Sequence, residues 1–143
     1  MPNMRICIDS SVLIPAVRNT DLNASRILRQ LGPDLSLVIP RLVAQEVNRN
    51  LTFPRHVRAF YRLFSANANS VIIDEPVPRK LVSKYVELGL PEKADAFIGA
   101  FVDWWQIPYL ISANGHFLRN LQIEAFRVVN ATEFLAMPRN DPA

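Results

Sequence analysis

The residues best placed to do chemistry are acids standing alone beside apolar segments. Asp9 closes the run Met4-Arg5-Ile6-Cys7-Ile8, Glu46 sits in Val43-Ala44-Gln45-Glu46-Val47, and Asp95 sits in Lys93-Ala94-Asp95-Ala96-Phe97-Ile98. Each has an ordinary explanation. Asp9 would cap the next helix, Glu46 would reach solvent from a helix boundary, and Asp95 would answer the dipole of a first helical turn. If these acids meet, they repel and some take up protons, unless a divalent cation removes the conflict. Oxygen-only ligands select Mg²⁺ or Mn²⁺ over zinc, which asks for His or Cys. Such an ion acidifies bound water and shields a phosphate. With arginines nearby, phosphodiester hydrolysis is the natural chemistry. From Arg41 to Arg62 the chain carries Arg41, Arg49, Arg55, Arg58 and Arg62 with His56, against the single acid Glu46. A solvated face usually mixes signs, whereas a one-signed face suits phosphate contacts.

Other candidates lie close by. Glu92 precedes Asp95 by three residues and so faces roughly the same way on a helix. Asp103 is eight residues later, about 12 Å along the axis, too far to share an ion. Asn114 follows an apolar run, and reads either as a plain Asn-Gly turn or as a ligand through its amide oxygen.

These residues need elements that deliver them to one place. Apolar runs at 4–8, 35–39, 71–73, 108–112 and 126–129 read as strands, the third an edge strand. Helices are expected over 11–17, opened by Ser10 and Ser11. A second follows the Asn19-Thr20-Asp21 turn, with Leu22, Ile27, Leu28 and Leu31 facing inward. Gly32-Pro33-Asp34 ends it. Pro40 suits the first turn of a third, with Leu42, Val43, Val47 and Leu51 as its buried stripe. Pro54 starts a fourth, with Val57, Phe60, Tyr61 and Phe64 inside. Two more cover 78–88 and 91–105, and the alanines and Gly99 of the latter suit a close approach to the sheet. Asn130 and Glu133 have the spacing of a capping box for a closing helix. Strands alternating with helices predict an α/β three-layer α/β/α sandwich with a mainly parallel central sheet. In an open parallel sheet, ligands bind beyond the carboxyl ends of the strands, which is where Asp9 would stand.

The chain of 143 residues is one ordinary domain's length, expected over 1–137 with a loose tail at 138–143. Half the residues are hydrophobic and 20% are charged, with net charge +3 and a sequence pI of about 9.4. That composition is soluble and globular, and its charge is compatible with a polyanion without requiring one. No apolar run is long enough to span a bilayer, and the N-terminus lacks an export pattern. The single cysteine, Cys7, sits between isoleucines as a small hydrophobe, and a reducing cytoplasm fits.

The stretch Ile6-Cys7-Ile8-Asp9-Ser10-Ser11-Val12-Leu13-Ile14 resembles the opening of a PIN-domain nuclease. Glu46 and Asp95 in their segments resemble that family's second and third acidic motifs. Leu110-Ile111-Ser112-Ala113-Asn114-Gly115-His116-Phe117 resembles its fourth, and 126–135 its last strand and helix. The resemblance implies a PIN-like parallel sheet and a metal-dependent endoribonuclease acting on single-stranded or exposed RNA. It further implies the toxin of a toxin–antitoxin pair with a cognate antitoxin protein, and a homodimer. On it, Mg²⁺ or Mn²⁺ is held by Asp9, Asp95 and Glu46 with Asn114 beside them. Ser10, Glu92, Ser112 and His116 support the site, and Arg41, Arg49 and Lys93 steady the RNA phosphate. The chain departs from the family where many members have a fourth aspartate: Asn114 brings an oxygen but no charge. Weaker metal binding is therefore expected, with one ion rather than two. The rival reading is a PIN-like domain that binds RNA or protein without cutting. A phosphoacceptor domain also gathers acids at strand ends, but shows paired acids early and a lysine after the last strand; here Asn130-Ala131 follows it.

Overall fold

Parallel strands covered on both faces read as near-continuous apolar runs, and the central strands here do, with Arg5 and Ser36 as the exceptions. A computed structural model describes residues 3–90, 93–115, 117 and 123–138. Among these, the elements run β1 (Met4–Ile8), α1 (Ser10–Arg18), α2 (Leu22–Arg29), β2 (Leu35–Pro40), α3 (Arg41–Asn50), α4 (Pro54–Ser65) and β3 (Val71–Ile73). There follow α5 (Arg79–Glu87), α6 (Lys93–Trp104), β4 (Tyr109–Ile111), β5 (Arg127–Val129) and α7 (Ala131–Ala136). The described strands form one sheet in the order β3-β2-β1-β4-β5, and every pairing is parallel. β2 is buried at each position, as are Ile6, Cys7 and Ile8 of β1. Burial, with Asp9 adding to it, pushes the Cys7 thiol well up, as befits a small hydrophobe.

The chain steps from β1 to β2 to β3, then crosses back past β1 to β4 and β5. Right-handed crossovers place the helices of those two journeys on opposite faces. Accordingly α1 packs on α2, α3 and α4, α2 touches α7, and α5 pairs with α6. The result is the expected α/β/α sandwich. No helix among the described residues is long and apolar enough to cross a membrane.

Element boundaries differ from expectation where tertiary contacts or caps intervene. The serines do not cap α1: Asp9 does, its side chain accepting from Ser11 N. Pro40 ends β2, paired in register with Ile73, and is the N-cap of α3 rather than its first turn. Leu22 is 68% exposed, because α2 turns Ala24, Ser25 and Ile27 inward. Tyr61 is 44% exposed, its hydroxyl engaged by the Asn48 amide on α3. The capping box of Asn130 and Glu133 forms as expected. Of the expected loose tail, 139–143 lie outside the described residues.

Gly99 does allow a close approach, but to α5 rather than to the sheet. A Cβ there would stand 2.9 Å from Tyr85 Cδ1 and 3.4 Å from Leu90 Cδ1. The Tyr85 ring cannot retreat easily. It is fully buried, and its hydroxyl donates to Asp103 Oδ2 at 2.9 Å, which Lys84 also meets at 3.0 Å. Asp103 thus serves the α5–α6 joint. Gly99→Ala should lower stability by up to about 2 kcal/mol: overpacking costs about 1–3, against about 1 gained in helix propensity. Denaturant unfolding measures the balance, and a more stable variant would mean the ring yields freely.

Candidate active site

The last register pair of the two central strands is Ile8 with Ile111. One step further, Asp9 N donates to Ile111 O at 3.1 Å and Ser112 N to Val129 O at 3.0 Å. Asp9 and Ser112 therefore leave neighbouring strands at the same level, and equivalent positions on parallel strands project to the same side. This is also where the strand order reverses, the crevice at which open α/β sheets bind ligands.

Ser112 Oγ donates to Asp9 Oδ2. Ser11 holds the other oxygen, Oδ1, through its hydroxyl at 2.5 Å and its backbone N–H at 3.1 Å. Both hydroxyls are themselves anchored by the loop after β4: Asn114 N donates to Ser112 Oγ at 2.9 Å and Ala113 N to Ser11 Oγ at 3.0 Å. The Asn114 amide then donates to Asp95 Oδ1 at 3.2 Å. Hydrogen bonds thus run from Asp9 through Ser112 and Asn114 to Asp95, in the first turn of α6.

Asp9 is only 4% exposed. Its partners are hydroxyls and backbone amides, and the ion pairs among the described residues, Arg41–Asp74 and Lys84–Asp103, do not include it. Burial pushes its carboxyl above the ordinary aspartate value of 3.8, and the bonds from Ser11, Ser112 and Val12 only partly offset this. An ionised carboxylate without a cation is unfavourable in such a place.

The donor chemistry fits a hard divalent cation: carboxylate oxygens of Asp9 and Asp95 with the amide of Asn114 joined to them. Among the described residues no three Asp, Glu, His or Cys side chains stand close enough to hold an ion. Mg²⁺ does not need such a cage, since it keeps several waters and binds through one or two carboxylates.

The remaining expected residues fall in different places. Glu46 is half-buried on α3, and no hydrogen bond or ion pair reaches its carboxylate among the described residues; the structure does not join it to Asp9 and Asp95. It lies one turn beyond Leu42, which lines a cleft at the tips of β2 and β3 with Pro40, Ile73 and, from α6, Phe97. Arg41 opens α3 at that rim, exposed and paired with Asp74 at 3.0 Å. Arg49 departs from expectation: α3 runs back from the strand tips, carrying Arg49 about 12 Å along the axis from Arg41. It neighbours Asn50, whose carbonyl receives Arg18 at the far end of α1. Ser10 is buried as the first residue of α1, but the bonds to Asp9 come from Ser11, which the sequence reading passed over. The signal was available, since an N-cap aspartate reaches two or three residues along the helix, not one. Glu92, His116 and the side chain of Lys93 lie outside the described residues.

No family model matches the chain, and the search of curated proteins gives no match. Solved structures do match. VapBC2 from Rickettsia felis, bound to a DNA fragment from their promoter, has 15% identity over 89% of this chain and 98% of that one, with a TM-score of 0.64. A toxin–antitoxin complex from Klebsiella pneumoniae has 19% identity over 88% and 97%, with a TM-score of 0.62. PAE2754 from Pyrobaculum aerophilum has 17% identity over 94% and 96%, with a TM-score of 0.52. At such identities the likeness is one of fold.

Because the folded state holds the Asp9 proton more firmly than the unfolded chain, Asp9 destabilises the fold as pH rises from 3.8 through its raised value. In metal-free protein, Asp9→Asn should therefore raise the melting temperature at neutral pH. The gap from wild type should close as pH falls through that window. Thermal unfolding between pH 4 and 8 checks this; a variant less stable at neutral pH would mean that Asp9 has a cationic partner.

Proposed function

From a PIN-like fold, we propose that this chain is a divalent-metal-dependent endoribonuclease, the toxin of a toxin–antitoxin pair. The observation that carries the reading is the buried, cation-free carboxylate of Asp9 tied through Ser112 and Asn114 to Asp95. Similarity of fold to VapBC2 and to a toxin–antitoxin complex supports the toxin part. Asp9 and Asp95 would hold Mg²⁺ or Mn²⁺, Glu46 would join directly or through water, and Asn114 would lie beside them. When bound, the ion supplies an acidified water and a positive charge for the scissile phosphate.

The chain's own residues do the positioning. Ser112 and Ser11 clamp one oxygen each of Asp9, so the carboxylate cannot rotate away. Asn114 orients Asp95. Arg41, at the rim, steadies the RNA phosphate with Lys93; its pairing with Asp74 is solvent-exposed and thus cheaply exchanged. Hydrolysis leaves a 5′-phosphate and a 3′-hydroxyl. A homodimer in the cytoplasm, held in check by an antitoxin, completes the proposal. Asn114 in place of an acid, with Glu46 outside the hydrogen-bonded series, favours one rival: a PIN-like module that binds RNA or protein and cuts weakly or not at all.

Incubating RNA with the protein in Mn²⁺, with and without EDTA, separates the two. Cleavage should require the metal and fall by about 100-fold or more in Asp9→Asn; cutting that survives EDTA or that variant refutes the role. Asn114→Asp should bind Mn²⁺ about 10-fold more tightly through its added charge, as calorimetry would show. Equal affinities would remove Asn114 from the ion's surroundings.

A further inference from the structure

The helix α4 presents a second, differently built surface. Arg55, Arg58 and Arg62 recur at i, i+3 and i+7, which places them on one side of the helix. All are exposed, and no Asp or Glu occurs between Val47 and Ile73 to balance them. None of them forms an ion pair among the described residues. Aromatic rings lie beside the cations: Tyr61 is 44% exposed, and Phe53, immediately ahead of the helix, 52%. The Arg55 guanidinium sits 4.8 Å from the Phe53 ring centroid, and Asn48 holds the Tyr61 hydroxyl. These groups are thus fixed at the surface while Phe60 fills the core beneath.

A face of one sign repels itself until a counter-charge arrives. Arginines interleaved with rings match a polymer that offers phosphates and flat bases together, as unpaired nucleic acid does. An acidic protein segment would meet the charges but leave the rings without stacking partners. We propose that this face of α4 docks single-stranded RNA, outside the strand-tip centre. It deepens the nuclease reading by giving the substrate a second handhold, and it rests on that reading only for the kind of polymer.

The test uses the full chain, a labelled 20-nucleotide single-stranded RNA and EDTA to prevent cutting, with fluorescence anisotropy at several salt concentrations. Combining Arg55→Gln, Arg58→Gln and Arg62→Gln should weaken binding about 10-fold or more. It should also make the slope of log K against log salt shallower by about 2, from three contacts at about 0.7 each. Tyr61→Ala should weaken binding about 5-fold, while Tyr61→Phe, which keeps the ring, should not. Circular dichroism confirms that each variant is folded. Unchanged affinity and slope in the triple variant would overturn the proposal. So would a triple variant that loses only a polyglutamate peptide. If RNA binding is lost in the triple variant but wild type fails to cut the same RNA in Mn²⁺, the docking face stands and the nuclease reading falls.

Discussion

The burial of one carboxylate at the end of β1 is the constraint around which the centre of this protein is built. Asp9 is nearly removed from water, yet meets only neutral donors. Burial and hydrogen bonding pull its proton affinity in opposite directions, and burial wins. As a cap Asp9 has no advantage here, because a neutral Ser or Asn would start α1 equally well. The carboxylate is held by both oxygens rather than turned toward solvent, an orientation that the proposed metal-binding role would use.

Topology explains why that orientation is available. Reversal of strand order between β1 and β4 opens a gap at their carboxyl ends that no crossover helix fills. Everything delivered there comes from the start of a helix or the loop after a strand. Asp9 and Ser11 come from the entry to α1, Ser112 and Asn114 from the exit of β4, and Asp95 from the first turn of α6. Across the neighbouring cleft, Phe97 of α6 faces Leu42 of α3. Glu46, four residues beyond Leu42, shares its side of the helix. Among the described residues, no hydrogen bond or ion pair reaches the carboxylate of that α3 acid.

What could be read from the sequence was whatever local chemistry decides. The strands announced themselves as apolar runs, Asn130 and Glu133 as a capping box, and Asp9 as an acid at a strand end. What escaped depended on which way a helix turns or what it packs against. Ser11, not Ser10, reaches Asp9 because the N-cap geometry skips a residue. Arg49 looked equivalent to Arg41 in a list of cations, but lies two helical turns away from the strand tips. Gly99 signalled close packing correctly while giving no indication of its partner, which is the Tyr85 ring on α5. Leu22 and Tyr61 fitted an apolar stripe by type, yet both side chains stand exposed.

A modest net charge of +3 conceals a marked separation of signs. Among the described residues, Asp9 is buried at the strand tips with no ion pair, and the exposed arginines of α4 have none either. Neither arrangement is favourable in isolation, since each leaves like charges close together or a charge out of water. Screening by salt relieves the exposed arginines but hardly reaches Asp9, whose surroundings exclude solvent. The two halves are therefore satisfied by different means. On the proposals above, a polyanion would suffice for the helix, whereas the buried acid would take a cation small enough to enter. On the function proposed above, RNA accompanied by divalent ions would bring both, so that a single ligand would answer two surfaces of opposite character.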